Sequence, residues 1–147
     1  MHTPAMTIDG QSDDTIRAIL TGTRRIAVVG ASDKVWRPSH GVFGFLLQRG
    51  YDAIPVNPLT AGQSIHGRTV VASLAEAAPL EMVDIFRASA NAGAAVDEAI
   101  RLGARTVWMQ LGVVDQAAAE RARNAGLTVV MDRCPVIEVR RLGLPHH

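Results

Sequence analysis

Hydrophobic and polar positions along this chain follow two alternating rhythms. Helical spacing puts Ile16, Ile19 and Leu20 on one face, then Val42, Phe43, Leu46 and Leu47, then Val96, Ala99, Ile100 and Leu102. Between these stripes lie short, largely β-branched apolar runs at residues 24–30, 53–57, 81–86, 104–109 and 127–131, which predict five strands. Three times a helical stretch stops at a glycine and a strand follows, at Arg49-Gly50, Leu102-Gly103 and Ala125-Gly126. Glycine enters the left-handed conformation that ends a helix without steric cost, so each pair reads as a helix stop. Ser12, Ser89 and Asp115 are the expected helix caps, and a further helix is expected over residues 39–49. The first helix is expected to cover a sheet edge. Residues 59–79 break the rhythm, with Gly62 and Gly67 as turns and one short helical pattern around residues 73–77.

A repeated βα unit with right-handed crossovers predicts an α/β, Rossmann-like, open parallel sheet of five strands in the order 3-2-1-4-5. Helices on both faces make three layers. Ligands of such sheets lie beyond the carboxyl ends of the strands. Here those ends are residues 30–39, Asn57-Pro58, Phe86-Arg87, Gln110-Leu111-Gly112 and Arg133-Cys134. The loop after the first strand carries the most information. Gly30 lets a backbone approach a ligand closely, and a helix starting near Ser39 points N–H groups and partial positive charge into the same space. Gly30 and Ala31 offer backbone donors, Ser32 and Ser39 hydroxyls, and Lys34, Arg37 and Arg87 charge-assisted bonds, a set suited to phosphates.

Composition narrows the partners. The chain has 147 residues, enough for one self-sufficient core, with the core expected at about 24–142 and residues 1–11 as a flexible N-terminal segment. Lys and Arg number 15 against 14 Asp and Glu, a net charge of +1 that suits neither a nucleic-acid duplex nor an anionic membrane. No signal peptide and no run long enough to cross a bilayer is visible, and the lone Cys134 cannot form an internal disulfide. A soluble, cytoplasmic protein is the expectation.

Dinucleotide enzymes carry G-x-G-x-x-G and an acidic residue at the end of the second strand. This chain has Gly30-Ala31-Ser32-Asp33 and Val56-Asn57-Pro58 instead, and Asp52 stands at the start of its strand, so NAD is disfavoured. No P-loop occurs, and no metal-ligand spacing joins the five histidines.

Seven pieces in order carry a family resemblance: Val28-Val29-Gly30-Ala31-Ser32, Arg37-Pro38-Ser39, Gly50-Tyr51, Pro55-Val56-Asn57-Pro58, Val83-Asp84-Ile85-Phe86-Arg87, Val107-Trp108-Met109-Gln110-Leu111-Gly112 and Met131-Asp132-Arg133-Cys134. Over residues 24–142 the chain resembles the small single-domain CoA-binding proteins, related to the CoA-binding domain of succinyl-CoA synthetase alpha subunits. The resemblance implies coenzyme A lying across the carboxyl ends of the strands, and binding without an established reaction. Carried over by motif, Gly30, Ala31, Ser32, Arg37 and Ser39 hold the pyrophosphate and the neighbouring phosphate. Asn57 and Pro58 flank the adenosine, while Phe86, Arg87, Gln110, Leu111 and Gly112 line the pantetheine path. Family members often place a basic residue after Asn-Pro where this chain has Leu59, which leaves Lys34, Arg37 and Arg68 as candidates for the 3′-phosphate. Val136 and Val139 stand where polar or basic residues are more usual.

Structural roles compete for several of these residues. Trp36 stacks on an adenine or packs over its own loop; Phe86 packs or touches ligand; Trp108 is core; Asp132-Arg133 reads as a surface ion pair. His40 stands where a phosphate would lie. Cys134 is either a buried structural thiol or a partner for CoA in a mixed disulfide. No catalytic set is apparent, and the phosphorylated histidine domain of the synthetases is missing. The expectation is a CoA or acyl-CoA binding module with a carrier, sensor or regulatory role, either a homodimer or bound to a partner chain. The alternatives are an enzyme or enzyme subunit acting on CoA thioesters, and an NAD or nucleotide-sugar Rossmann enzyme.

Overall fold

Five β-branched runs become the strands β1 (Arg25–Val29), β2 (Asp52–Val56), β5 (Met82–Ile85), β6 (Thr106–Met109) and β7 (Thr128–Val130) of one parallel sheet. The computed structural model describes residues 7–147. Strand side chains alternate between two buried faces, which is why the runs are largely apolar, with Asp84 in β5 a fully buried exception. Ala27, Val29, Val83, Ile85, Val107 and Met109 face helices α3 (Ser89–Arg101) and α4 (Gln116–Asn124). Ile26, Val28, Met82, Trp108 and Val130 face α1 (Asp13–Gly22), α2 (Pro38–Gln48) and α5 (Pro135–Leu142).

The strand order is β2-β1-β5-β6-β7. The open parallel sheet and its three layers match the expectation, but the third long strand lies beside the first, not outside the second. Pro55 supplies the reason. It lacks the N–H that a central strand must donate, so β2 belongs at an edge. Its outer side pairs only with the crossover, Val71 N–H donating to Pro55 O at 2.9 Å and Asn57 N–H to Val71 O at 2.9 Å.

The irregular crossover holds a two-stranded ribbon, β3 (Ser64–Ile65) with β4 (Arg68–Thr69), and a 3-10 turn at Leu74–Ala77 where the short helical pattern lay. Ser12 and Asp115 cap α1 and α4 as expected, accepting from Thr15 N–H and Ala118 N–H. Ser89 does not cap α3. It is the first helical residue, and its Oγ instead accepts from Val114 N–H at 3.0 Å and donates to Gly112 O at 3.4 Å, tying α3 to the loop after β6.

A sheet edge is covered near the N-terminus, though by residues ahead of α1. Gln11 Nε2 donates to Val129 O at 2.9 Å, and Asp9 Oδ2 accepts from Met131 N–H at 3.0 Å, both on the edge strand β7 and its exit. Of the segment expected to be flexible, residues 7–11 make these contacts, and residues 1–6 lie outside the described residues. Asp9 also bonds Arg133, whose guanidinium meets Glu138 at 3.2 Å. The expected Asp132–Arg133 surface pair is thus replaced by a buried Asp9–Arg133–Glu138 network, because Arg133 points into the core while Asp132 turns out at φ 58°.

Candidate functional site

At the carboxyl end of β1 the chain turns at Gly30. Gly30 adopts φ +86°, and a Cβ there would stand 2.3 Å from the carbonyl oxygen of Phe86. Glycine is required here by the neighbouring strand's own backbone. The loop that follows is built by side chains read in the sequence as ligand contacts. Asn57 Nδ2 donates to Ala31 O at 2.9 Å and its Oδ1 accepts from Leu59 N–H at 3.0 Å. Ser39 Oγ accepts from Ser32 N–H at 3.0 Å, and Ser32 Oγ accepts from Lys34 N–H at 3.1 Å. Asn57 and Ser39 therefore shape the loop. Arg37 occupies the cap position of α2 and Pro38 its first turn.

The loop, the end of β2 and the ends of β5 and β6 enclose a cleft of about 480 Å³, within the usual size of a small-molecule site. Of the expected residues, Gly30, Ser32, Lys34, Arg37, Ser39, Asn57, Phe86, Arg87, Gln110 and Leu111 line it. Four do not. Ala31 is fully buried beneath the loop, and Pro58 faces an adjoining hollow of about 360 Å³ that shares Arg87 with the cleft. Gly112 N–H donates to Asp132 Oδ1 at 2.7 Å, which fixes the β6 exit beside the cleft. Cys134 is buried at the head of α5, among the residues packed under that face of the sheet.

Asp33, Pro38, Leu59, Thr60 and Val113 also line the cleft; the first three stood in or beside quoted motifs without being named as ligand contacts, and the last two were not singled out in the sequence. Thr60 and Val113 carry no local motif; only the fold of the crossover and of the β6 exit brings them there.

Electrostatically the cleft is cationic. Among the described residues no carboxylate forms an ion pair with Lys34, Arg37 or Arg87, whereas Arg17, Arg25, Arg68, Arg101, Arg121, Arg133 and Arg141 are all so engaged. Three cations line the site against one acid, Asp33. Its rim is apolar and open: Val35 is 74 % exposed, Trp36 73 % and Leu59 86 %. The Trp36 ring is largely exposed, and Lys34 Nζ of the same loop stands 5.5 Å from its centroid, within cation–π range.

Other candidates are drawn away. Arg68 bonds Asp52 at 2.8 Å at the start of β2, the opposite end of the sheet, which removes it from the 3′-phosphate candidates. Asp52 is held below the usual carboxylate range by its bond to Arg68, against a smaller opposing effect of burial, with Arg25 adding to the lowering. His40 pairs with His66, their ring centroids 4.3 Å apart, and its carbonyl meets His66 Nε2 at 3.1 Å. Trp108 is core as expected, its Nε1–H donating to Arg133 O at 2.8 Å. Phe86 packs against the core, and it also lines the cleft. Val139 is buried and Val136 packs against the core, so hydrophobicity at both positions serves the seat of α5. A larger hollow of about 640 Å³ runs along α2 beside Phe45, His66 and Arg140, but it touches no strand end of the five-stranded sheet.

Among the described residues no group of three or more His, Cys, Asp or Glu side chains could hold a metal, and no helix is long and apolar enough to cross a membrane.

Known proteins with this pattern share both sequence and shape. The family model described as "CoA binding domain" matches residues 24–140. The uncharacterized protein YneT of Bacillus subtilis (strain 168) is 38 % identical over 120 residues, 81 % of this chain and 87 % of its own. A hypothetical protein from Pyrococcus horikoshii OT3 is 38 % identical, with a TM-score of 0.89 over 96 % of this chain and 99 % of its own. A structure from Thermus thermophilus is 34 % identical, with a TM-score of 0.85 over 90 % and 99 %. With its family match spanning most of the chain and the fold shared along nearly all of it, the protein belongs to the CoA-binding domain family.

Proposed function

We propose that this protein binds coenzyme A or an acyl-CoA in the strand-end cleft and works as a carrier, sensor or regulatory module of the cytoplasm. One observation carries the reading: Lys34, Arg37 and Arg87 converge on a single cleft without carboxylate partners. Unpaired cations at the head of a helix suit phosphates, and CoA brings a pyrophosphate and a 3′-phosphate. Lys34 and Arg37 on the loop hold the phosphates, with Trp36 and Leu59 offering apolar surface to the adenine. Arg87, shared between the cleft and the adjoining hollow beside Pro58, lets an elongated ligand lie across the strand ends. Family membership supports the same ligand.

A binding role is favoured over thioester chemistry by the positions of the reactive side chains. Cys134 is buried outside the cleft lining, and His40 is engaged with His66.

Thermal unfolding with CoA, 3′-dephospho-CoA and NAD tests the reading. At 100 times its dissociation constant a ligand stabilises by about 2.7 kcal/mol, a shift of several degrees. CoA is expected to give that shift, dephospho-CoA a smaller one and NAD none. A shift with NAD and none with millimolar CoA would overturn the proposal.

A further inference from the structure

Among the described residues, the buried side-chain polar atoms without a hydrogen-bond partner are Thr60 Oγ1, both carboxyl oxygens of Asp84 and Gln110 Oε1. They gather at one place. Thr60 and Gln110 line the cleft, and Asp84 lies on β5 two residues before Phe86, which lines it as well. Asp84 is in register with Trp108 on β6, and Gln110 stands two residues beyond Trp108. With a period of two along each strand, Asp84 and Gln110 leave the sheet on the same face, that of α1, α2 and α5. Asp84 is fully buried and Gln110 only 6 % exposed.

Two buried acceptors on neighbouring strands, diagonal in register on one apolar face, are costly unless a donor meets them, and a protonated carboxyl supplies one. The titratable groups of the elements packed against this face are engaged elsewhere: Asp14 bonds Arg17, Asp13 and Glu138 bond Arg141, Glu138 also bonds Arg133, His40 stacks on His66, and Arg140 lies over the Phe45 ring. No cation lies there to hold a carboxylate, and burial alone pushes the Asp84 carboxyl well above its ordinary range.

We propose that Asp84 is a neutral acid whose O–H donates to Gln110 Oε1, and that this bond turns the Gln110 NH₂ into the cleft as a donor for a carbonyl oxygen of the ligand. Asp84 is then a positioning residue and Gln110 a specificity residue. The ligand half rests on the CoA reading above: CoA offers two pantetheine amide carbonyls, and its acyl forms a thioester carbonyl.

Two measurements test it. In the protein without ligand, carbon-13 NMR of the Asp84 carboxyl should report a protonated group at neutral pH, with a resonance that moves in Gln110→Leu. An ionised Asp84, or a resonance indifferent to Gln110→Leu, would overturn the bond. By calorimetry, Gln110→Leu and Asp84→Leu should each weaken ligand binding about tenfold, the worth of one hydrogen bond, while Asp84→Asn, whose NH₂ can still donate to Oε1, should stay within about twofold of wild type. Loss toward both CoA and acetyl-CoA places the bond on a pantetheine amide; loss toward acetyl-CoA alone places it on the thioester. Wild-type affinity in Gln110→Leu would overturn the ligand half. A wild-type protein that binds neither ligand refutes the CoA reading and the ligand half with it, while the NMR result still decides the Asp84–Gln110 bond. Asp84→Leu counts only if its unfolding transition remains cooperative; Gln110→Leu carries the test otherwise.

Discussion

Gly30 was legible as a residue of the site, but its reason was not. The sequence suggests a backbone cleared for a ligand; the structure shows a backbone cleared for Phe86 O, 2.3 Å from where a Cβ would stand. Gly30→Ala would combine that overlap with a positive φ, so it is expected to lose about 2–4 kcal/mol of stability in urea unfolding. Asp84 was read only as part of a family motif, since nothing local distinguishes a strand carboxyl that faces solvent from one sealed among Val28, Met82 and Trp108. Its burial has a thermodynamic consequence. Because the folded state holds its proton more tightly than the unfolded chain, the stability it contributes is full below the unfolded carboxyl pKa and is lost as pH rises toward the folded value. Asp84→Asn removes that loss. Its melting temperature should exceed wild type by a few degrees at pH 7 and converge with it near pH 3; a variant less stable than wild type at pH 7 would contradict this.

Elements were read more reliably than their neighbours. Glycine stops, the Ser12 and Asp115 caps and the short helical pattern at 73–77 all rest on local physics, and each is found in place. Strand order depends on which strand can sit at an edge, and the one local sign of it was Pro55 within β2. The N-terminal strap was illegible for a different reason: Asp9 and Arg133 are 124 residues apart, and no local pattern announces a buried ion pair between them. Burial works to raise the Asp9 carboxyl, but its bonds to Arg133 and to the N–H groups of Gln11 and Met131 outweigh that and hold it below its usual range. Its contribution is present above the unfolded carboxyl pKa and fades as pH falls through the folded value. Asp9→Ala leaves Arg133 short of a partner in the core, so at pH 7 it should cost about 3 kcal/mol, the penalty for breaking a buried pair. Chemical denaturation across pH should show that cost shrinking toward acid.

At the scale of the molecule, a sheet with its parallel strands all pointing one way brings the ends of β1, β2, β5 and β6 to one edge, and that is why a list of residues scattered over the sequence becomes one cleft. Ten of the fourteen expected binding residues line it, and the exceptions have physical causes: Ala31 and Cys134 are packed into the core, Gly112 is bonded to Asp132, and Pro58 turns toward the hollow on the other face. Arg68 could not be excluded by sequence because only the ribbon of β3 and β4 returns it to Asp52 at the far end of the sheet. What remains at the cleft is a surface of three cations, none of them in an ion pair with a carboxylate among the described residues. The most direct measurement of its purpose is a calorimetric titration of CoA into wild type and into Arg87→Gln. Saturable one-to-one binding that weakens 10- to 100-fold in Arg87→Gln, the worth of a charge-assisted hydrogen bond, is the predicted result; no heat of binding at millimolar CoA, or equal affinity in the two proteins, would contradict the assignment of this cleft to CoA.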